Sequence, residues 1–147
     1  MFRILAIYGV AFIINYVWEM LQMPFYERMS FADPASYLQC VQASFGDANI
    51  IIAIFGLGLF MFRNWEWPKP LTLWKLAYLA VIGGSIAVSI ELFALKAGKW
   101  RYSSLMPLLP LVRVGLIPFL QLLILPYLSY SIAGRFFRVK NVPKNDT

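Results

Sequence analysis

The chain has 147 residues, 61% hydrophobic and only 14% charged, with a mean hydropathy of +0.67. A soluble domain carries roughly one-quarter charged residues, so this composition describes a polytopic membrane protein with no room for a separate soluble domain. The net charge of +6 resides in basic residues that flank apolar runs without clustering on a polar face, which points to anionic lipid and away from nucleic acid.

The first element has Arg3 ahead of the apolar run Ile4–Ile14. The run passes into Asn15, Trp18 and Glu19 without a small-residue cleavage pattern, so it reads as a retained span over about residues 4–21. Asn15, Glu19 and Gln22 recur at i, i+4 and i+7 and form one polar stripe, expected to face inward at the end of this helix. Residues 23–36, with Pro24, Glu27, Arg28, Asp33 and Pro34, read as an exposed loop. The uninterrupted apolar part of the second element, Ile50–Phe62, is shorter than the roughly 17–25 residues a crossing needs, so its helix is expected to begin near Leu38 and run to 62. That start places Asp47 at membrane depth, on one face with Cys40 and Ser44, with Gly56 and Gly58 allowing close approach of a neighbour. A later start would make Asp47 a loop acid or an N-cap, and both readings stand at this point. Cys40 is the single cysteine, which excludes an intrachain disulfide. The absence of histidine excludes histidine-based catalysis and a Cys/His metal framework.

Residues 63–75, with three tryptophans, two prolines and three basic residues, suit a short connection at the headgroup level. The third span is expected over 73–95, with Gly83, Ala87, Ser85 and Ser89 supplying small faces for packing. Glu91 lies near its far end. An acid at that depth is expensive and usually faces a partner or a polar cavity, which makes Glu91 the most informative residue of the chain. The stretch 96–113 is basic, yet Pro107 and Pro110 interrupt an apolar segment, as expected of an interfacial or re-entrant cover over the bundle mouth. The fourth span, 114–133, contains Pro118, Gln121 and Pro126, and the tail 134–147 is expected to fray.

With the N-terminus inside, Arg3, Arg63, Lys69, Lys75, Arg135, Arg138, Lys140 and Lys144 are cytoplasmic, whereas Arg28, Lys96, Lys99, Arg101 and Arg113 are outside. This bias places both termini in the cytoplasm of a bacterial inner membrane. Glu19, Asp47, Glu91 and Gln121 then fall toward the outer side on four helices, under the basic connection. Glu19 and Glu91 should approach each other or share a cavity, and two like charges held close cannot both ionise cheaply.

The motifs Asn15-x-x-Trp18-Glu19-x-x-Gln22-x-Pro24-x-Tyr26, Cys40 with Gly46-Asp47, Gly98-x-Trp100-x-Tyr102-x-x-x-Met106-Pro107-x-x-Pro110 and Val114-Gly115-Leu116-x-Pro118-x-x-Gln121-x-x-x-x-Pro126 cover most of the chain. In these the chain resembles a family of small four-helix bacterial inner-membrane proteins of uncharacterised function. The resemblance implies the all-α bundle and supports the choice of polar positions.

Glu19, Asp47 and Glu91 are the candidate catalytic groups. Asn15, Gln22, Lys99, Trp100, Arg101, Tyr102, Arg113 and Gln121 are the candidate substrate contacts. Such a site suits a lipid or isoprenoid, with one carboxyl as general acid and another stabilising a developing cation; alternatively the three carboxylates hold a divalent cation. The bland alternatives are ion pairs of Glu19 and Glu91 with Lys99, Arg101 or Arg113, and interface anchoring by Trp100 and Tyr102. A non-catalytic subunit packing against a membrane protein partner, or a homo-oligomer, is the competing function. The charge bias predicts that a reporter active only in the cytoplasm will be active at the C-terminus; activity of a periplasm-only reporter there would refute the orientation.

Overall fold

The computed structural model describes residues 2–138. It is all helical: α1 (Phe2–Gln22), a short 3-10 turn (Met23–Phe25), α2 (Pro34–Phe62), α3 (Leu73–Lys96) and α4 (Leu116–Arg138). Each of the four long helices is long and apolar enough to cross a membrane. At 1.5 Å per residue, even the 21-residue α1 extends about 30 Å, the thickness of a bilayer's hydrocarbon core. Their outward faces carry large apolar side chains, among them Ile13, Phe60, Trp74 and Val81.

Local chemistry fixes the helix ends. Asp33 caps α2 by accepting the Ala35 N–H at 3.0 Å, and Pro34 takes the first helical position, where its missing N–H costs nothing. The helix therefore begins earlier than Leu38, and Asp47 lies well inside it, which rules out the loop and N-cap readings of that acid. Arg63 ends α2 in the left-handed region, and Gly98, at φ 63°, follows the end of α3. Helix α4 starts at Leu116 and runs through the expected boundary at 133 to Arg138. The frayed tail expected from residue 134 is thus helix as far as 138. Residues 139–147, with Lys140 and Lys144, lie outside the described residues.

Helix α1 packs against α2 and α4, and α3 packs mainly on α4. The α3–α4 contact is close because of one proline and one glycine. Pro126 has no N–H to offer the Leu122 carbonyl one turn back. Gly83 lies against that carbonyl oxygen, where a Cβ would collide with it, and Gly84 faces the Phe119 ring. Ala87 continues this buried face. Ser85 and Ser89, by contrast, are exposed and supply no packing surface; the Ser89 hydroxyl donates to its own helix at the Ser85 carbonyl, 2.7 Å.

The connection 63–72 departs from the headgroup reading in one residue. Trp67 is fully buried and rests on Gly58. Its ring meets Phe62, Tyr78 and Tyr130 with centroids 5.3–5.6 Å away. Three aromatic donors reach carbonyls of α2: Trp67 Nε1 to Phe55 at 3.2 Å, Tyr78 to Ile54 at 2.8 Å and Tyr130 to Ile51 at 2.7 Å. Gly58 therefore admits a side chain where a neighbouring backbone was expected, and Gly56 faces open space. At the same end Arg3 forms an ion pair with Glu66, and the Lys69 ammonium donates to the Ser131 carbonyl at 2.9 Å.

Gly83→Leu should force α3 off α4 and lower stability by about 1–3 kcal/mol or more, the range for overpacking. Thermal unfolding in detergent checks this, with the exposed Ser85→Leu as the control that leaves stability unchanged.

Candidate functional site

The polar site lies where α1 and α3 end and α2 and α4 begin. Asn15, Glu19 and Gln22 are all buried, so the stripe on α1 faces the bundle. Opposite them stands Gln121 of α4, also buried. Its Nε2 donates toward Asn15 Oδ1 (2.9 Å), Glu19 Oε1 (3.0 Å) and Asp47 Oδ2 (2.8 Å). Its Oε1 accepts from Gln22 Nε2 at 3.3 Å. One amide thus joins three helices.

Counting hydrogens defines the chemistry of this hub. An amide nitrogen carries two hydrogens, and three oxygens compete for them. Glu19 Oε1 and Asp47 Oδ2 both lie on that one nitrogen, and two like charges held so close cannot both ionise cheaply. Nearby, Trp18 Nε1 and Gln22 Oε1 are buried with no hydrogen-bond partner among the described residues.

Glu91 occupies a different environment. It is buried, and its Oε2 accepts from the Tyr102 hydroxyl and from Trp100 Nε1 (3.3 Å). Tyr26 packs against both of these donors. The three rings pack together: Tyr26 lies edge-on to Trp100 with centroids 6.2 Å apart and 5.7 Å from Tyr102. Two donors from the lid therefore meet on one oxygen of Glu91. Burial, and then the negative charge of Glu91, hold the Tyr26 phenol far above its ordinary range. Burial and the hydrogen bond to Glu91 do the same for Tyr102.

These aromatic donors reach the site because the two connections on this side are pinned together. Glu27 N–H donates to the Arg101 carbonyl and Ser103 N–H to the Phe25 carbonyl, each at 2.9 Å, bridging Tyr26 to Tyr102. The Ser103 hydroxyl adds a bond to the Pro24 carbonyl at 2.8 Å. Tyr102, while donating to Glu91, accepts the Gly115 N–H at 2.8 Å and so ties the lid to the start of α4. Residues 97–115 therefore form a strapped lid, with Met106 and Val114 buried beneath it.

Several expected contacts are absent. Glu19 and Glu91 share no hydrogen bond, Glu19 taking one from Gln121 while Glu91, on α3, takes those of Trp100 and Tyr102 in the lid, but the two remain electrostatic neighbours. Lys99, Arg101 and Arg113 are exposed and reach none of the three acids; among the described residues the single ion pair is Arg3–Glu66. The ion-pair reading of Glu19 and Glu91 is overturned, because the lid brings aromatic donors and leaves its cations outside. Trp100 and Tyr102 hold Glu91 and are more than interface anchors. Tyr26 is the site residue that the sequence reading left out; its place in the motif ending Pro24-x-Tyr26 was the available signal. Among the described residues no group of three or more acids, cysteines or histidines is placed to hold a metal ion.

Comparison with family models, curated proteins and solved structures gave no match. Gln121→Leu should cost about 3 kcal/mol or more, since it strips donors from two carboxyls and an amide at once. Gln121→Glu, which keeps the shape but adds a third carboxyl, should be no better. Chemical or thermal unfolding of the purified variants reads both.

Proposed function

We propose that the protein is a multi-pass component of a bacterial inner membrane, with cytoplasmic termini, whose outer-leaflet polar site binds the head of a lipid or isoprenoid beneath an interfacial lid. The observation that carries this reading is that two buried carboxyl groups, Glu19 and Glu91, and the half-buried Asp47 make no ion pair with any described residue. Burial of carboxyls without a counter-ion is costly, and in an apolar bundle such groups face a ligand or take part in chemistry. Of Glu19 and Asp47, drawn together on Gln121, one staying protonated supplies a general acid. Glu91, held by Trp100 and Tyr102, supplies a second carboxyl for acid–base work. The open donor of Trp18 and acceptor of Gln22 offer polar contacts to a head group entering the hub.

The test combines composition with mutation. Native mass measurement of the purified protein should find a stoichiometric lipid; a stoichiometric protein would instead support a subunit or assembly role. Glu91→Gln should express and unfold like the wild type yet fail to complement the phenotype of a deletion strain. Full complementation would make Glu91 structural, because an isosteric amide keeps the acceptor oxygen for Trp100 and Tyr102 and removes only the charge.

A further inference from the structure

One outward face of α2 differs from the large apolar surfaces elsewhere on the bundle. Gln42, Gly46, Asn49, Ala53, Gly56 and Phe60 are all exposed, and they recur at alternating intervals of four and three residues. A 3.5-residue period of this kind is the seam of a left-handed helix pair. Asn49 stands two residues beyond Asp47 and so is turned by about 200° from the polar hub, to the far side of the helix. At Gly46 and Gly56 nothing lies within 4 Å of the place a Cβ would take, so packing within the chain does not account for either glycine. Beside the seam, the exposed Phe45 and Leu57 are the large groups expected against lipid.

Depth makes the amide of Asn49 costly. At 1.5 Å per residue it lies about 20 Å from either end of α2. One turn before it, Phe45 packs on Phe12 with ring centroids 4.6 Å apart, and Phe12 stands at the middle of α1. Asn49 is therefore at mid-depth, where hydrocarbon offers no hydrogen bond. Other polar groups of the spans are answered within the chain: Asn15 donates to the Ala11 carbonyl at 2.7 Å, and the exposed Ser89 hydroxyl donates to the Ser85 carbonyl. Asn49 and Gln42 make no hydrogen bond with any described residue. Two open amides on a seam of glycine and alanine call for another helix, close enough for its own polar groups to reach them.

The seam also selects its partner. It carries no charge, so nothing in it asks for an ion of opposite sign. An amide is at once donor and acceptor, and two copies of one amide set face to face satisfy each other. Copies inserted the same way round in one membrane pair about a two-fold axis along its normal, which sets α2 parallel to α2 and each seam residue against its own counterpart. Asn49 then meets Asn49, Gly46 and Gly56 let the two backbones close, and the central Asn fixes the register, as one does in a parallel coiled-coil dimer. We infer that the protein pairs with a second copy of itself along the Gln42–Phe60 face of α2. This inference is independent of the lipid-site reading, because the seam lies across α2 from Asp47 and the hub.

Crosslinking of the full-length chain in its membrane tests the contact. Ala53→Cys, on the seam, should form a disulfide-linked dimer when copper phenanthroline is added, the two facing thiols each giving one proton and one electron as the S–S bond forms and the oxidant is reduced. The wild type, whose Cys40 is buried, and Ser85→Cys, exposed on α3, should stay monomeric in the same assay. Sedimentation equilibrium in detergent reads the strength of the pair. Asn49→Leu should raise the dissociation constant of the dimer about tenfold, the size of a lost interhelical amide contact. Gly56→Leu should raise it at least as much, whereas Ser85→Leu should leave it unchanged. Circular dichroism should find the same helix content in all of them, since every substituted side chain is exposed. A wild type that sediments as a monomer, crosslinking of Ser85→Cys in place of Ala53→Cys, or an undiminished dimer in Asn49→Leu overturns the inference. A native mass showing one chain bound to a different protein, and losing it in Asn49→Leu, also overturns it and gives this face to another partner.

Discussion

The amide of Gln121 is the contact on which the polar end of the bundle depends. A polar group inside an apolar bundle finds no water, so each donor and acceptor must be answered by another helix. Gln121 answers Asn15 and Glu19 of α1 and Asp47 of α2 from α4, and takes a bond from Gln22 in return. Turning any of the three helices by one residue would swing its polar group by about 100° and leave several buried groups unpaired. The apolar faces alone cannot impose that register, since one Leu or Ile packs nearly as well as the next. The polar hub therefore fixes the rotation of α1, α2 and α4 about their axes.

Helix α3 stands outside this hub and is attached in two other ways. Along its length it rests on α4 through Gly83, Gly84 and Ala87, against the backbone that Pro126 opens. Near its end Glu91 accepts from Tyr102 and Trp100, and Tyr26 of the other connection packs on both rings. Tyr102 is the shared member, bonding both Glu91 and the first turn of α4. A single carboxylate thus ties α3 to a lid that is itself strapped to the end of α1.

The opposite end of the bundle is built on a different principle. There Trp67, Tyr78 and Tyr130 bury their rings together and spend their polar atoms on carbonyls of α2. Satisfied aromatic groups of this kind give rigid packing with few charges. Among the described residues the buried acids, Glu19 and Glu91, both lie at the lid end. That division separates an aromatic end from a polar one.

The amino-acid sequence by itself determined the class and the skeleton. Long apolar runs are a local signal, and their lengths gave four helices close to their observed bounds. The i, i+4, i+7 spacing placed Asn15, Glu19 and Gln22 on one inward face because helical periodicity is also local. The start of α2 was read late, since Pro34 looks like a loop residue unless its position just after a capping Asp33 is recognised. What only the tertiary structure decided was partnership. Spacing along a chain does not say which helix faces which, so it could set Glu19 and Glu91 toward one end but not show that Glu19 bonds Gln121 while Glu91 bonds the lid. It does not reveal that a connection folds back, so the cations of residues 96–113 were assigned to the site, whereas the fold delivers Trp100 and Tyr102 and turns the cations outward. Tyr26 and Trp67 were hidden for the same reason: an aromatic residue beside a proline looks like an interface anchor until long-range packing buries it.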